Sequence, residues 1–422
     1  MHRLISHRIL FGRLLLCLVL ALSTCSSDTT STATERSIAF ANFDDGVEIS
    51  LVYGAFRSRT TRPIVARAAN PEIAITVRSG PSPDVSRAFE IQNVSPRAEL
   101  KITDVIFLNS ENEDGCPFRD PKLLSCESAL ASIGRACTDD KGCEVGTLCR
   151  ASACQANADL DDCTLPSYSH FPQNRTRLLF TYDVLPCRSM RFTVKENTDL
   201  KKIKVGILGA IENIEALDNL DDFALENDLD FYVFLGNVSP DFSDDGLNQL
   251  YQKLESLPLP VTMIAGDREA VIDGGGPFLR KFGPHQHVFN RKQVKFLTFY
   301  SATGSLGETG LQRIDSLFAQ ARRGAADIPF IVFTHTPPLD IDSGRDQGFR
   351  SRIEGARVLG ILNRYDVDML FTGNTALGGS EKLGELEVVL TGESESTSSS
   401  QRSLTILEID TKGEITYKKA AF

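Results

Sequence analysis

Two hydrophobic rhythms divide the chain. From residue 37 to about 198, apolar and polar residues alternate with a period of two. Val47-Glu-Ile-Ser-Leu-Val-Tyr53, Ile73-Ala-Ile-Thr-Val77, Phe89-Glu-Ile-Gln-Asn-Val94 and Leu100-Lys-Ile-Thr-Asp-Val-Ile-Phe107 carry the pattern, and Arg177–Tyr182 and Met190–Val194 resume it. One buried face per strand produces that alternation. Short strands separated by Pro- and Gly-containing gaps predict an N-terminal β-sandwich over residues 37–198. Residues 110–170 interrupt it, without strand character. From residue 200 to 422 the rhythm changes. Continuous apolar runs (Ile203–Leu208, Phe231–Leu235, Val261–Ile264, Phe296–Phe299, Phe330–Phe333 and Met369–Phe371) predict strands buried on both faces. Helical spacing lies between them, at Gly246–Leu254, Leu311–Arg322 and Val358–Tyr365. Period-two alternation returns at Leu386–Leu390, Leu404–Ile409 and Ile415–Tyr417. Strands alternating with helices predict an α/β layered domain.

The first 24 residues predict export rather than fold. Arg3, Arg8 and Arg13 precede an apolar run, Leu14 to Leu22, too short to span a bilayer comfortably. The run ends in Leu22-Ser-Thr-Cys25, which resembles a bacterial lipobox; Thr24 stands where Gly, Ala or Ser is usual. Lipidation of Cys25 and ordinary signal cleavage nearby both fit. The first implies an exported protein, lipid-anchored at the outer membrane or periplasmic face. Residues 25–36 are Ser/Thr-rich and predict a tether. No later segment is apolar for long enough to span a membrane.

A formal charge of −11 argues against nucleic acid, and against membrane contact other than through a lipid. Of ten cysteines, Cys17 falls in the signal and Cys25 in the lipobox. Cys116, Cys126, Cys137, Cys143, Cys149, Cys154, Cys163 and Cys187 are an even set, which in an exported chain predicts disulfides. The run Cys137 to Cys154 lacks the closely paired cysteines of a zinc site. It predicts a loop staple, with a recognition knob as the alternative.

Five predicted strands end in abrupt turns, where ligand sites of layered α/β folds gather. These are Gly206-Ile-Leu-Gly-Ala-Ile-Glu-Asn213, Phe234-Leu-Gly-Asn237, Ile264-Ala-Gly-Asp-Arg-Glu269, Phe333-Thr-His-Thr-Pro-Pro338 and Phe371-Thr-Gly-Asn-Thr-Ala376. Their order and spacing resemble the calcineurin-like metallophosphoesterase superfamily, in particular its purple-acid-phosphatase-like members. Phe282-Gly-Pro-His-Gln-His-Val-Phe289 and Leu390-Thr-Gly-Glu393 fit the same pattern. The resemblance implies a four-layer α/β/β/α domain over residues 200–422 and a phosphoesterase reaction at two metals.

Carried over position by position, the resemblance breaks at the metals. Ala210 and Glu212 stand where the family has Asp and His. Asn237 replaces the bridging Asp. Asp267 replaces an Asn, and Arg268 the catalytic His beside it. His335 is retained, and Asn374 and Ala376 replace two further His. Ala210 and Ala376 have no donor atom, Asn237 lacks the bridging charge, and Arg268 repels cations. The surviving set Glu212, Asp267 and His335 implies at most one divalent metal and otherwise no cofactor. The expectation is therefore a pseudo-phosphoesterase that binds a protein or surface-glycan partner, or a small anion near Arg268, Asn237 and Asn374. The alternative is a divergent one-metal phosphoesterase. His335 could also be a turn histidine satisfied by backbone, and Arg268 could pair with Asp267 or Glu269. His285 and His287 are a weaker metal pair.

Overall fold

The N-terminal half condenses around two sheets, as its period-two pattern requires. In the computed structural model, the described residues are 38–422 apart from 60–62, 82, 84–85, 109–115, 117–121, 197–201, 292, 324–326, 340–346, 376–377 and 395–401. The signal, the tether and Cys25 lie outside them. Residues 37–422 form one compact unit.

The first sheet runs Ile38–Asn42, Val47–Val52, Ile73–Ser79, Arg188–Glu196, Ala98–Phe107 and Lys122–Ser125 in spatial order, antiparallel throughout. The second runs Tyr168–Phe171, Asn174–Asp183, Ser86–Gln92, Ile64–Ala68 and Gly54–Ser58. Their inward residues share one core that includes Ile49, Leu51, Ile75, Val77, Phe89, Leu178, Phe180 and Phe192. The expected strands are all present; most extend by one to three residues at their ends, whereas the expected Val47–Tyr53 stops at Val52 and the expected Phe89–Val94 runs Ser86–Gln92. The insert differs from expectation. Lys122–Ser125 joins an edge of the first sheet and Tyr168–Phe171 an edge of the second, so the segment is not free of strands. Between them lie a short helix, Cys126–Ser132, and a small hairpin, Thr147–Arg150 with Ala153–Ala156. The eight cysteines pair as Cys116–Cys187, Cys126–Cys163, Cys137–Cys149 and Cys143–Cys154.

The C-terminal half also holds two sheets. One orders Val261–Met263, Phe231–Phe234, Ile203–Leu208, Ser403–Ile409 and Ile415–Ala421, with the first three parallel. The other orders His287–Arg291, Val294–Thr298, Phe330–Thr334, Met369–Thr372, Leu386–Leu390 and Gly379–Leu383. Three cores account for the continuous apolar runs. One draws Val205, Ile207, Phe231 and Val233 from the first sheet and Phe296, Ile331, Phe333 and Phe371 from the second. Another joins the first sheet to the helices Leu220–Asn227, Asp244–Ser256 and Gly276–Phe282. The last joins the second sheet to the helices Gly307–Arg322 and Arg352–Arg364. Strands with a core on each face have no polar side to show, which is the sequence pattern. No described helix is long and apolar enough to cross a membrane.

Candidate functional site

The ends of Ile203–Leu208, Phe231–Phe234, Val261–Met263, Phe330–Thr334 and Met369–Thr372 converge, and the turns that follow are stitched to one another. The Asn237 carbonyl accepts from Ile211 N–H at 3.1 Å. Gly209 N–H donates to Ser394 Oγ at 2.9 Å, and Ser394 N–H to the Ala210 carbonyl at 2.8 Å. Two glycines permit this closeness. A Cβ on Gly209 would sit 1.9 Å from the Gly392 carbonyl oxygen. Gly236 adopts φ +92°, and a Cβ there would lie 2.4 Å from Gly266 N and 2.8 Å from His335 Nδ1. Asn237 follows at φ +58°, a left-handed conformation that Asn and Asp tolerate better than most residues.

Glu269 locks the turns together. Its carboxylate is fully buried and accepts four backbone N–H groups: Asn237 and Gly266 at 2.9 and 2.8 Å on Oε2, Val238 and Ser239 at 2.9 and 2.8 Å on Oε1. This is the residue that sequence reasoning passed over. The acidic last position of Gly266-Asp-Arg-Glu269 was its only signal. From the sequence alone the side chain reads merely as a partner for Arg268.

Arg268 pairs with neither acid beside it in sequence. Its Nη1 donates to the Ile211 carbonyl at 3.2 Å, and its backbone N–H donates to Asn237 Oδ1 at 3.1 Å. The Asn237 side chain also favours the ionised form of the neighbouring Asp267 carboxylate. Asn237 thus serves two neighbours at the place where the resemblance puts a metal bridge.

His335 is fully buried, on a segment fixed from behind by Thr334 and Ser301. Thr334 Oγ1 donates to the Phe299 carbonyl and Thr336 N–H donates to Ser301 Oγ, at 2.9 and 2.8 Å. His335 Nδ1–H donates to the Leu235 carbonyl at 2.6 Å, the backbone bond expected of a turn histidine. Its Nε2 has no hydrogen bond of good geometry but lies 3.4 Å from Asp267 Oδ1. That approach, with the Asn237 side chain alongside, holds the Asp267 carboxyl down to about 2.

The structure does not assemble the expected ligand trio. Glu212 is exposed on the turn after the first strand. Among the described residues, the one cluster of three potential ligands is Cys137, Cys143 and Cys154, all in disulfides. Ala210 offers only its backbone, and Asn374 Nδ2 donates to the Gln347 carbonyl at 3.3 Å. Ala376 lies outside the described residues. A dinuclear centre does not fit these residues. Glu269 has both oxygens committed to backbone, Asn237 bonds where a bridging anion is needed, and Arg268 brings a fixed positive charge. His285 and His287 do not form a metal pair either. His285 stacks on Phe278 at 4.9 Å, whereas His287 is buried against Thr298 Oγ1 at 3.1 Å.

No family model and no curated protein matches the sequence. Solved structures resemble the fold at a distance. A Plasmodium protein described as the anchor in the inner membrane complex is 16% identical, with a TM-score of 0.43, over 53% of this chain and 85% of that one. A dimetal phosphatase from Danio rerio is 11% identical, with a TM-score of 0.41, over 52% of this chain and 96% of that one. A purple acid phosphatase from yellow lupin seeds is 10% identical, with a TM-score of 0.40, over 88% of this chain and 74% of that one. At such scores the likeness says nothing about chemistry.

Proposed function

We propose that this chain is a binding protein built on a metallophosphoesterase-like scaffold that no longer assembles a dinuclear centre. The observation that carries the reading is Asn237. Its amide oxygen accepts from Arg268 N–H at the bridging position and its side chain favours the ionised Asp267 carboxylate, roles that need no cation. On this reading residues 200–422 form the four-layer domain and residues 37–198 a β-sandwich, supported by one core between the two N-terminal sheets and by a core on each face of the two C-terminal sheets. The partner is a protein or a surface glycan. Export with a lipid at Cys25 belongs to the same proposal, supported by four disulfides, which persist in oxidising compartments.

A second reading, a one-metal phosphoesterase, is favoured by His335. With Nδ1–H held by a backbone carbonyl, Nε2 faces Asp267 Oδ1 at 3.4 Å, a nitrogen and a carboxylate oxygen of the kinds that ligate a cation. A backbone-held imidazole of this kind is common among metal ligands.

Metal content and p-nitrophenyl phosphate turnover of the full chain, after loading with Mn²⁺, Fe²⁺ or Zn²⁺, separate the two. Binding without chemistry predicts no retained metal and no turnover above blank. One equivalent of metal with turnover, both lost in His335→Ala, favours the second reading. Two equivalents with turnover overturn both.

A further inference from the structure

The insert gathers sulfur atoms that the reading above leaves unused. Cys137, Cys143 and Cys154 belong to two different disulfides, yet their Sγ atoms all lie within 4.8 Å of one another. Local pairing brings them together. Cys149 and Cys154 stand directly opposite each other on Thr147–Arg150 and Ala153–Ala156, but each bonds to a cysteine outside the hairpin. Ala136 bridges to Ala153, and Cys137 N–H donates to the Ser152 carbonyl at 3.1 Å, which lays Cys137 along the hairpin. The single turn Asp140–Gly142 then brings Cys143 back to the same place. A Cβ on Gly142 would lie only 3.6 Å from Cys137 Cβ.

The four described bonds differ in access. Cys116, Cys126, Cys154 and Cys187 are buried, so three of the bonds have at least one sheltered end. Cys137 and Cys149 are both partly exposed. A reductant therefore reaches Cys137–Cys149 first. Exchange proceeds by thiolate attack on a disulfide sulfur, so access decides where it starts and proximity decides where it goes next.

We propose that Cys137–Cys149 and Cys143–Cys154 form one redox-sensitive exchange unit, opened by an external dithiol, rather than two independent staples. One thiolate of the dithiol attacks Cys149 Sγ, forms a mixed disulfide there and expels Cys137 as a thiolate. Cys137 attacks one sulfur of Cys143–Cys154, bonds to it and expels the other as a thiolate. The second thiol of the dithiol then resolves the mixed disulfide, closing its own disulfide and freeing Cys149. The dithiol gives up two electrons and two protons, and the four cysteines end as one disulfide and two thiols. Cys116–Cys187 and Cys126–Cys163 take no part, so the tip of the insert re-pairs while its frame stays closed. The proposal stands apart from the chemistry at His335.

Cys149→Ser in the full chain leaves Cys137 without its partner, as the first attack does. Trypsin cuts after Arg135, Lys141 and Arg150, which puts Cys137, Cys143 and Cys154 on three separate peptides. The folded monomer is held at about pH 8, where an ordinary thiol is partly ionised, then quenched with acid and N-ethylmaleimide and mapped by mass spectrometry. Bonds from Cys137 to Cys143 or Cys154 are expected in at least about a tenth of the chains. Cys143–Cys154 alone, with Cys137 free, overturns the proposal. Cys163→Ser frees the buried Cys126 instead and is expected to leave both inner bonds unchanged. Equal scrambling in that variant would mean general reshuffling and also overturns it. Wild type treated with one equivalent of dithiothreitol gives a second reading that needs no variant to fold. A further cut after Glu144 separates Cys143 from Cys149. Products joining Cys137 to Cys143 or Cys154 are expected, and a product that has lost Cys137–Cys149 with Cys143–Cys154 intact overturns the proposal.

Discussion

Glu269 accepts four backbone N–H groups at once, and no other described side chain in the cleft is so fully committed. Replacing it by Gln removes the charge and points an NH₂ group at amides that are themselves donors. Glu269→Gln should cost about 2–4 kcal/mol of stability in urea unfolding, whereas Arg268→Ala, at a half-buried side chain, should cost less than about 1 kcal/mol. The sequence marked Glu269 as a motif position but not as a clamp. Three of its four partners lie some thirty residues away, and spacing along a chain does not reveal which amides a turn will aim at a carboxylate. The missing donors at Ala210 and Ala376 and the missing charge at Asn237 were visible directly, because residue identity alone decides them. The bonds that Asn237 and Arg268 make instead required three turns to be placed together.

The strand His287–Arg291 carries a titration into the fold. Burial pushes His287 down to about 4, from 6.5 in the unfolded chain, and His285 likewise. The folded chain therefore binds these protons less readily. Stability from His287 is complete above about pH 6.5 and declines as pH falls toward 4, by up to about 3 kcal/mol. Glu72 opposes this: burial raises it to about 7, so its contribution falls as pH rises from about 4.5. The difference between wild type and His287→Asn isolates the histidine. In paired unfolding curves the variant should lose less stability than wild type between pH 6.5 and 4. Equal losses would remove the assignment. Elements with a long period were legible in the sequence, including every strand from Ile203 to Leu390 that has a core on both faces. Ile38–Asn42, Gly54–Ser58 and Ile64–Ala68 were not. They are five residues each, and Gly54 and Arg67 interrupt their pattern. Arg67 is nevertheless fully buried, because its partners, Glu255 and the rings of Tyr251 and Phe282, lie far along the chain.

At the scale of the whole molecule, the N-terminal sheets and the C-terminal sheets meet through polar groups as much as apolar ones. Asn93 pairs with Val261 like a strand neighbour, accepting its N–H at 2.7 Å and donating to its carbonyl at 2.9 Å. Tyr251 donates to Gln92, Arg177 reaches Glu255 at 3.4 Å, and the buried Arg291 pairs with the buried Glu196. Directional bonds of this kind fix one orientation where apolar contact alone would allow sliding. The α/β half has no disulfide, so these bonds and its cores hold it in place. The N-terminal half is different. Cys116 and Cys187 are joined across 71 residues, with Cys126–Cys163 nested inside. A protease that cuts once between residues 117 and 125 therefore breaks the chain without separating it. The nicked protein should migrate as one band without reductant and as two with it. Such a molecule can be cut in its insert and still keep both pieces as one body.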